Sequence, residues 1–398
     1  MDIVLISILV VYTFNLLGKS AYLILVFIPF MIFTCTKIDY RKKHFFTLTI
    51  LLLFLLSTVL TSLYYGYLST ISSIEILFYP ILFYLIGVKL TSNDYEYKKS
   101  YIILYMIIFV TFIYMFLNYF NTISLYGSLE TAKLSLGGRA LIDFWDNTER
   151  PATFVIVSLS FGLAAIPTLF FNIEKLGKKL NFFIKISLLF VFFTSLYLSI
   201  QLGSRTSVII IIVSLIVVQL ALFKFTFRTL INYILIFICL GISKYLFEAN
   251  VFDLKEMWIN SQLYERFQSS GMGSSRFFAW KEVLIGIFNY PLGGRKSLSS
   301  LEYVHNLWLD VANDVGIFPL ALIIIFTAFS ITSLLKFIIS KQHPVLIKAL
   351  FLSIFVAFFI SFMTEPILRT QERFLFVLFC LIVGLLQGLN SLNRIKLI

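Results

Sequence analysis

Long apolar stretches, repeated along the chain and separated by short charged segments, restrict the possible folds of this sequence more than any other feature. An α-helix needs about 20 such residues to cross the hydrocarbon core of a bilayer. Hydrophobic residues make up 60% of the 398 residues and charged residues only 13%, which excludes an ordinary soluble domain. The sequence therefore predicts an all-α, polytopic integral membrane protein that forms a single domain over residues 1–398.

The apolar stretches predict twelve membrane-spanning helices. The first stretch has no Lys or Arg before Lys19 and no small-residue cleavage site, so we expect a retained span and not a signal peptide. The predicted spans are 3–18, 21–36, 45–65, 73–90, 101–120, 151–172, 182–201, 206–223, 229–246, 316–336, 346–363 and 373–389.

Positive charge is concentrated in one alternating set of connections between these spans. With the N-terminus in the cytoplasm, the cytoplasmic connections hold 18 of the 32 Lys and Arg residues and five acidic residues. Because basic connections stay in the cytoplasm during insertion, we expect both termini to be cytoplasmic. The net charge of +12 then needs no nucleic-acid partner. Segments 121–150 and 247–315 become long extracytoplasmic connections, where functional residues are expected.

Two arginines open helical segments on the predicted outer face. Arg205 in QLGSRTS precedes a span, and Arg276 in GSSRFFAW begins an amphipathic helix at the membrane surface. A helix N-terminus that carries an arginine offers N–H donors and positive charge to phosphate oxygens. The alternative for Arg205 is an interfacial side chain that reaches towards water, and membrane contact alone explains the aromatic residues around Arg276.

Further arginines lie near turns on the same face. Arg150 precedes Pro151 at the start of a span, and Arg139 follows the flexible pair Gly137-Gly138. The turn Asn-Tyr-Pro-Leu-Gly-Gly at 289–294 places Arg295 beside backbone N–H groups, which together can hold an anion. Each of these signals is only a few residues long.

His305 and Asn306 begin the run HNLWLDVANDVG, whose apolar residues share one helical face. A lone histidine is more often structural than catalytic. An imidazole exposed outside the membrane nevertheless titrates near neutral pH and can act as a general base. His44 and His343 lie in basic cytoplasmic connections, and we expect both to be incidental.

The order of these motifs resembles the bacterial O-antigen polymerase and O-antigen ligase superfamily. GSR at the head of a helix, an outer RxxxW segment followed by NxPLGG, and HNLWLDVANDVGIF before another span occur in that order within residues 203–317. The topology of most of the chain is similar as well. The chain departs from the pattern at Thr206, where many members have Gly after the Ser-Arg pair.

The resemblance implies a membrane glycosyltransferase whose donor and acceptor are undecaprenyl-diphosphate-linked glycans. It would act at the outer face of the bacterial cytoplasmic membrane, without a cofactor or a metal ion. The resemblance assigns the donor diphosphate to Arg205 and Arg276, and activation of the acceptor hydroxyl to His305. Weaker binding candidates are Arg150, Arg295 and Asn306. Membrane lipid is a further expected partner, and a separate chain-length regulator protein is a possible one.

Three functions remain as alternatives. The aromatic, Phe- and Ile-rich character favours a polymerase that extends O-antigen or capsule, whereas a ligase would transfer the glycan to lipid A core or to a protein. A flippase would place ionisable residues near the bilayer midplane. Nearly all charges of this chain lie near span ends. The first outer connection lacks an acidic pair, and Cys35, Cys239 and Cys380 show no CxxC spacing, so we predict no metal requirement.

Overall fold

The fold is built from α-helices in a computed structural model, which describes residues 2–18, 22, 25–29, 32, 42–92, 97–136, 139–172, 177–222, 256, 259, 263–264, 274–297, 301, 303–368 and 373–395. The helices are α1 (Asp2–Thr13), α2 (Lys42–Tyr64), α3 (Thr70–Thr91), α4 (Lys98–Tyr126), α5 (Leu129–Leu136), α6 (Ala152–Ala164), α7 (Lys178–Gln201), α8 (Arg205–Leu222), α9 (Ser274–Asn289), α10 (Leu307–Val315), α11 (Ile317–Ile339), α12 (Val345–Thr364) and α13 (Arg373–Ile395). A short 3-10 helix, Ile166–Phe170, extends α6.

Nine helices in the described part of the chain are long and apolar enough to cross a membrane. They are α2, α3, α4, α6 with its extension, α7, α8, α11, α12 and α13, and each corresponds to a predicted span. The predicted span 229–246 and most of 21–36 lie outside the described residues. The predicted span 3–18 is not one helix, because α1 ends at Thr13 and both Asn15 and Leu17 have positive φ. These helices indicate a membrane protein.

A β-hairpin departs from the predicted all-α fold. Strand β1 (Ala140–Ile142) pairs antiparallel with β2 (Glu149–Pro151). The fully buried Asp143 organises the turn: its carboxylate accepts a hydrogen bond from the Trp145 amide at 2.7 Å and one from the Tyr114 hydroxyl. Strands of three residues carry too little alternation to be predicted from sequence. The described residues of the connection predicted over 121–150 therefore contain regular structure.

The most extensive contact between two helices joins α3 to α13. Gly384 and Gly388 lie one turn apart on α13. A Cβ added to Gly384 would collide with the Tyr84 carbonyl, and one added to Gly388 would collide with the Thr91 hydroxyl. Small residues at this spacing let two membrane helices approach closely, which increases van der Waals contact where no hydrophobic driving force exists.

Buried hydrogen bonds reinforce the same helices. The Tyr84 hydroxyl donates to Gln387 Oε1 at 2.7 Å, and Gln387 Nε2 donates to Thr47 Oγ1 at 3.0 Å. The three side chains come from α3, α13 and α2, respectively. Because an unpaired polar group in hydrocarbon costs free energy, these bonds hold the three helices in one register.

The connection predicted over 247–315 also contains regular structure, since α9 and α10 fall within it. The 289–294 turn packs on the end of α10: the Gly294 amide donates to the Asp314 carbonyl at 3.0 Å, and the Ile317 amide donates to the Pro291 carbonyl at 2.9 Å. Gly293 has φ 77°, and a Cβ there would lie 2.6 Å from the Gly316 amide nitrogen. Two motifs that are separate in sequence thus form one structural unit.

The two histidines predicted to be incidental are both buried. The ring of His343 stacks on Phe337 with centroids 3.9 Å apart, and its Nδ1 lies 3.0 Å from the Tyr97 hydroxyl. Burial, assisted by the charge of Lys348, lowers the pKa of His343 to about 4. His343 therefore packs in its neutral form between the ends of α11 and α12, which is a structural role.

Candidate functional site

A cavity of about 440 Å³ lies where the ends of four helices meet. The N-terminal ends of α6, α8 and α9 and the C-terminal end of α12 bound it, together with the residue that precedes β1. Its volume falls in the range of about 300–1,000 Å³ that is usual for ligand sites. The charged residues of its wall are Arg139, Arg205, Arg276 and Glu365, and its larger apolar residues are Ile156, Val208, Ile209, Phe277, Trp280 and Met363.

Arg205 is the first residue of α8, and the local sequence explains why the helix begins there. Gly203 has φ 65°, which turns the chain, and the Ser204 hydroxyl accepts a hydrogen bond from the Ser207 amide at 3.2 Å. A serine that accepts from the amide three residues later is a common N-terminal cap. Arg205 is therefore held at the positive end of the helix dipole, where its guanidinium adds to the field towards the cavity.

Arg276 lies in the first turn of α9. It is half-buried, lines the cavity, and makes no hydrogen bond or ion pair with any other residue that the structure describes. The next turn of α9 is fixed, because Trp280 Nε1 donates to the Val304 carbonyl at 3.0 Å. This bond ties the Arg276 helix to the segment that carries His305.

Arg139 completes the cluster of cations. Its carbonyl accepts from the Ala152 amide at 2.9 Å, and its Nη1 donates to the Leu202 carbonyl at 2.8 Å, which joins the hairpin to the segment before α8. Burial lowers the pKa of Arg139; Arg205 and Arg276 lower it further, whereas Glu365 opposes the shift. The three guanidiniums therefore share one field, and a bound anion would relieve their mutual repulsion.

Glu365 links this cavity to His305. It is the residue directly after α12, is 3% exposed, and its Oε2 lies 3.9 Å from His305 Nδ1. Neither of these two atoms has a hydrogen-bond partner among the described residues. A buried carboxylate beside an imidazole can hold the ring in one orientation and stabilise its charged form.

The backbone holds His305 in a left-handed conformation, with φ 57°. The buried Asp310 carboxylate accepts the Val304 amide at 3.0 Å and the Asn306 amide at 3.2 Å, so it fixes both neighbours of the histidine. Asn306 caps α10, since its Oδ1 accepts the Leu309 amide at 3.2 Å. The predicted binding candidate Asn306 therefore has a structural role.

Arg150, another predicted candidate, does not line the cavity. Its Nε lies 2.8 Å from Asp143 Oδ2, and its guanidinium lies 5.7 Å from the centre of the Phe154 ring. Although burial alone lowers the pKa of Arg150, Tyr114 and Asp143 raise it above the usual value. Arg150 stabilises the hairpin, and the hairpin in turn positions Arg139.

Arg295 is also placed outside this cavity. Its Nε lies 3.4 Å from Asp314 Oδ1, and its Cζ lies 3.9 Å from the centre of the Tyr67 ring. It lines a smaller, separate pocket on the side of α10 that faces α2. Of the five predicted arginine and histidine candidates, Arg205 and Arg276 are brought into one cavity, and His305 reaches it through Glu365.

Sequence reasoning missed Glu365 and gave no role to Arg139. Glu365 carried a signal, because a carboxylate that ends a long apolar stretch and precedes a proline is unusual in a membrane helix. Arg139 could be placed only with the hairpin, which the sequence does not reveal.

No protein-family model matches the chain, and no curated protein matches it.

Proposed function

We propose that the protein is a glycosyltransferase that polymerises a bacterial surface polysaccharide, O-antigen or capsule. It transfers a glycan from undecaprenyl diphosphate onto the sugar of a second lipid-linked repeat unit. The observation that carries the proposal is the convergence of Arg139, Arg205 and Arg276 on one cavity that also contains Glu365, the neighbour of His305.

A diphosphate fits the charge of this cavity. Three guanidiniums and one carboxylate leave a formal excess of two positive charges in its wall. Guanidinium groups bind phosphate oxygens in bidentate geometry and stay charged at all ordinary pH values. The N-terminal ends of α6, α8 and α9 add backbone N–H groups and dipoles of the same sign. The site can therefore stabilise the charge that develops on a departing diphosphate.

The apolar part of the wall suits a lipid carrier. Ile209 of α8, Phe277 of α9 and Met363 of α12 line the cavity, with 47%, 64% and 47% of their surfaces exposed. In a membrane these side chains would contact hydrocarbon, so a polyprenyl tail could leave the cavity sideways into the bilayer. A soluble nucleotide-sugar donor has no lipid tail that could contact such a surface.

The proposed reaction uses His305 as the general base. The acceptor hydroxyl oxygen forms a bond to the anomeric carbon of the donor, while the bond from that carbon to the diphosphate oxygen breaks. Nδ1 of His305 faces Glu365, which leaves Nε2 to take the hydroxyl proton. Undecaprenyl diphosphate departs with the electron pair of the broken bond, and the arginines stabilise its charge. Glu365 stabilises the imidazolium that forms.

Charge supports an extracytoplasmic position for this site. Lysines begin the helices at the ends remote from the cavity: Lys98 and Lys99 in α4, and Lys178 and Lys179 in α7. The opposite end of α7 leads to Arg205 at the cavity. The predicted cytoplasmic connections hold 18 of the 32 Lys and Arg residues against five acidic ones, and this excess outweighs the arginines at the cavity. The cavity would therefore face outward, where lipid-linked repeat units are polymerised.

Substitution of the site residues in the source bacterium tests the proposal. The gene is deleted and replaced by wild type, Arg205→Ala, Arg276→Ala, His305→Ala or the control Lys281→Ala, which removes an exposed cation from the same helix as Arg276. Surface glycan is separated on a gel, and membrane levels of each variant are measured by immunoblot. We expect wild type and the control to give a long-chain ladder, and the three site variants to give single repeat units.

Two results would contradict the proposal. Normal ladders from Arg276→Ala and His305→Ala would show that the cavity does not carry out polymerisation. Bare core together with long lipid-linked chains in the deletion strain would identify a ligase, because polymerisation would then have proceeded without this protein.

A further inference from the structure

A second pocket, separate from the cavity, lies between α10 and the C-terminal part of α2. Its volume of about 50 Å³ is room for a few water molecules, or for the hydroxyl groups along one edge of a sugar ring. The C-terminal part of α2, the segment after it and α10 form most of its wall. Ile76 of α3, Arg295, Leu368 and the first residue of α13, Arg373, complete it.

The charges of this pocket are balanced. Arg295 and Arg373 line it together with Asp310 and Asp314. The donor cavity differs, because three arginines there face one glutamate. A wall with two guanidiniums and two carboxylates does not favour an anion, but it offers both donors and acceptors to hydroxyl groups, each of which can donate and accept.

Thr58 supplies an independent sign that a ligand binds here. It lines the pocket from α2, is only 6% exposed, and its hydroxyl has no hydrogen-bond partner among the described residues. Leaving a buried hydroxyl unsatisfied costs about 1–3 kcal/mol. Neighbouring hydroxyls show the usual alternative, since Ser57 donates to the Phe54 carbonyl at 2.9 Å. A hydroxyl of a bound ligand would satisfy Thr58.

Aromatic rings border the pocket. Tyr67 lines it and stacks on Tyr65 with centroids 5.6 Å apart and planes inclined by 22°. Arg295 covers the Tyr67 ring at 3.9 Å and lies 3.4 Å from Asp314. The ring pair therefore holds Arg295 at the pocket, where its guanidinium can donate hydrogen bonds to the hydroxyls of a ligand.

Asp310 connects the pocket to the proposed general base. Its carboxylate lines the pocket and also accepts the backbone amides on both sides of His305, at 3.0 and 3.2 Å. We propose, on the basis of the function proposed above, that this pocket binds the acceptor: it holds the hydroxyl-bearing, non-reducing end of the acceptor glycan. Glu365 would then link His305 to the donor cavity, and Asp310, through the amides of Val304 and Asn306, would link the His305 segment to the acceptor pocket.

Binding measurements on the full chain in lipid nanodiscs test the proposal. The acceptor probe is the repeat-unit oligosaccharide, released by mild acid from the lipid-linked repeats that accumulate in the deletion strain. It lacks the diphosphate, so it can act as acceptor but not as donor. The variants are Thr58→Val, which keeps the shape and removes only the hydroxyl, and Asp314→Asn. Ser57→Ala is the matched control, because it removes a neighbouring hydroxyl outside the pocket.

We expect Thr58→Val to weaken oligosaccharide binding about threefold to tenfold, the effect of one lost hydrogen bond. Asp314→Asn is expected to weaken binding at least as much, and both should raise the KM for acceptor. Binding of undecaprenyl diphosphate to the donor cavity should be unchanged in both variants, which also shows that they are folded. The control should resemble wild type in every measurement.

The inference is overturned if both variants bind the oligosaccharide as wild type does, or if wild type does not bind it at all. Failure of the proposed function looks different. In that case purified wild type neither binds undecaprenyl diphosphate nor forms polymer from lipid-linked repeats. Polymer formation by wild type with an unchanged acceptor KM in both variants would refute only the acceptor pocket.

Discussion

Replacement of Glu365 by Gln tests the link between the cavity and His305. The change keeps the shape of the side chain but removes a charge that lies 3.9 Å from His305 Nδ1. Coulomb's law with an effective dielectric constant of about 20 gives an attraction of about 4 kcal/mol between a full imidazolium and this carboxylate at 3.9 Å. That energy corresponds to about a thousandfold in rate. Because 24% of the His305 side chain is exposed, screening by water reduces the expected effect.

We therefore expect Glu365→Gln to lower kcat by about 100-fold to 1,000-fold. Glu365 also offsets part of the positive field that acts on Arg139, so its removal should leave the KM for donor unchanged or lower it. The assay is the initial rate of polymer formation by purified protein in nanodiscs, with lipid-linked repeats as substrate. Glu365→Asp should restore part of the rate, because it retains the charge.

The control for this experiment is Glu130→Gln, which removes an exposed carboxylate from α5, outside the cavity. It should behave as wild type. A wild-type kcat in Glu365→Gln would refute the idea that this carboxylate stabilises a charged histidine during the reaction. A loss confined to KM would instead show that Glu365 contributes only to binding.

Two further predictions concern stability. Gly384→Leu should lower the thermal unfolding temperature in detergent by several degrees, because its side chain would meet the Tyr84 carbonyl; Gly177→Leu, at a position with open space, is the control. The depressed pKa of His343 means that the unfolded chain binds a proton that the folded chain does not, so stability should fall as the pH drops from about 6.5 towards 4. His343→Asn should flatten this dependence, and an equally steep decline in the variant would contradict it.

The membrane-spanning helices were predictable because their signal is local. Each long apolar stretch satisfies its backbone hydrogen bonds within itself, so α11, α12 and α13 can be located without knowledge of their neighbours. The starts of α8 and α9 were predictable for a similar reason, since Ser204 and the serines before Arg276 mark helix N-termini. Arg205 and Arg276 could therefore be assigned to helix ends from the sequence alone.

The remainder of the site depends on contacts between distant segments. Glu365 meets His305 across 60 residues of sequence, and no local pattern records that contact. Arg150 and Arg139 carry the same charge in the same connection, yet the hairpin pairs Arg150 with Asp143 and leaves Arg139 to the cavity. The position of Arg295 in a separate pocket could not be predicted for the same reason, because its partners Tyr67 and Asp314 become neighbours only in the folded chain.

The glycine contact between α3 and α13 can form only after α13 has been synthesised, long after α3. Tyr84 and its partner Gln387 are 303 residues apart, which a ribosome translates in about 15–60 s at 5–20 residues per second. During that interval α3 resides in the membrane without the α13 partner of its Tyr84 hydroxyl and without the α13 glycines that pack against it. A nascent chain interrupted before Gly384 would lack both the hydrogen bond to Gln387 and the close packing on α3, so its α3 would be held less firmly than in the complete chain.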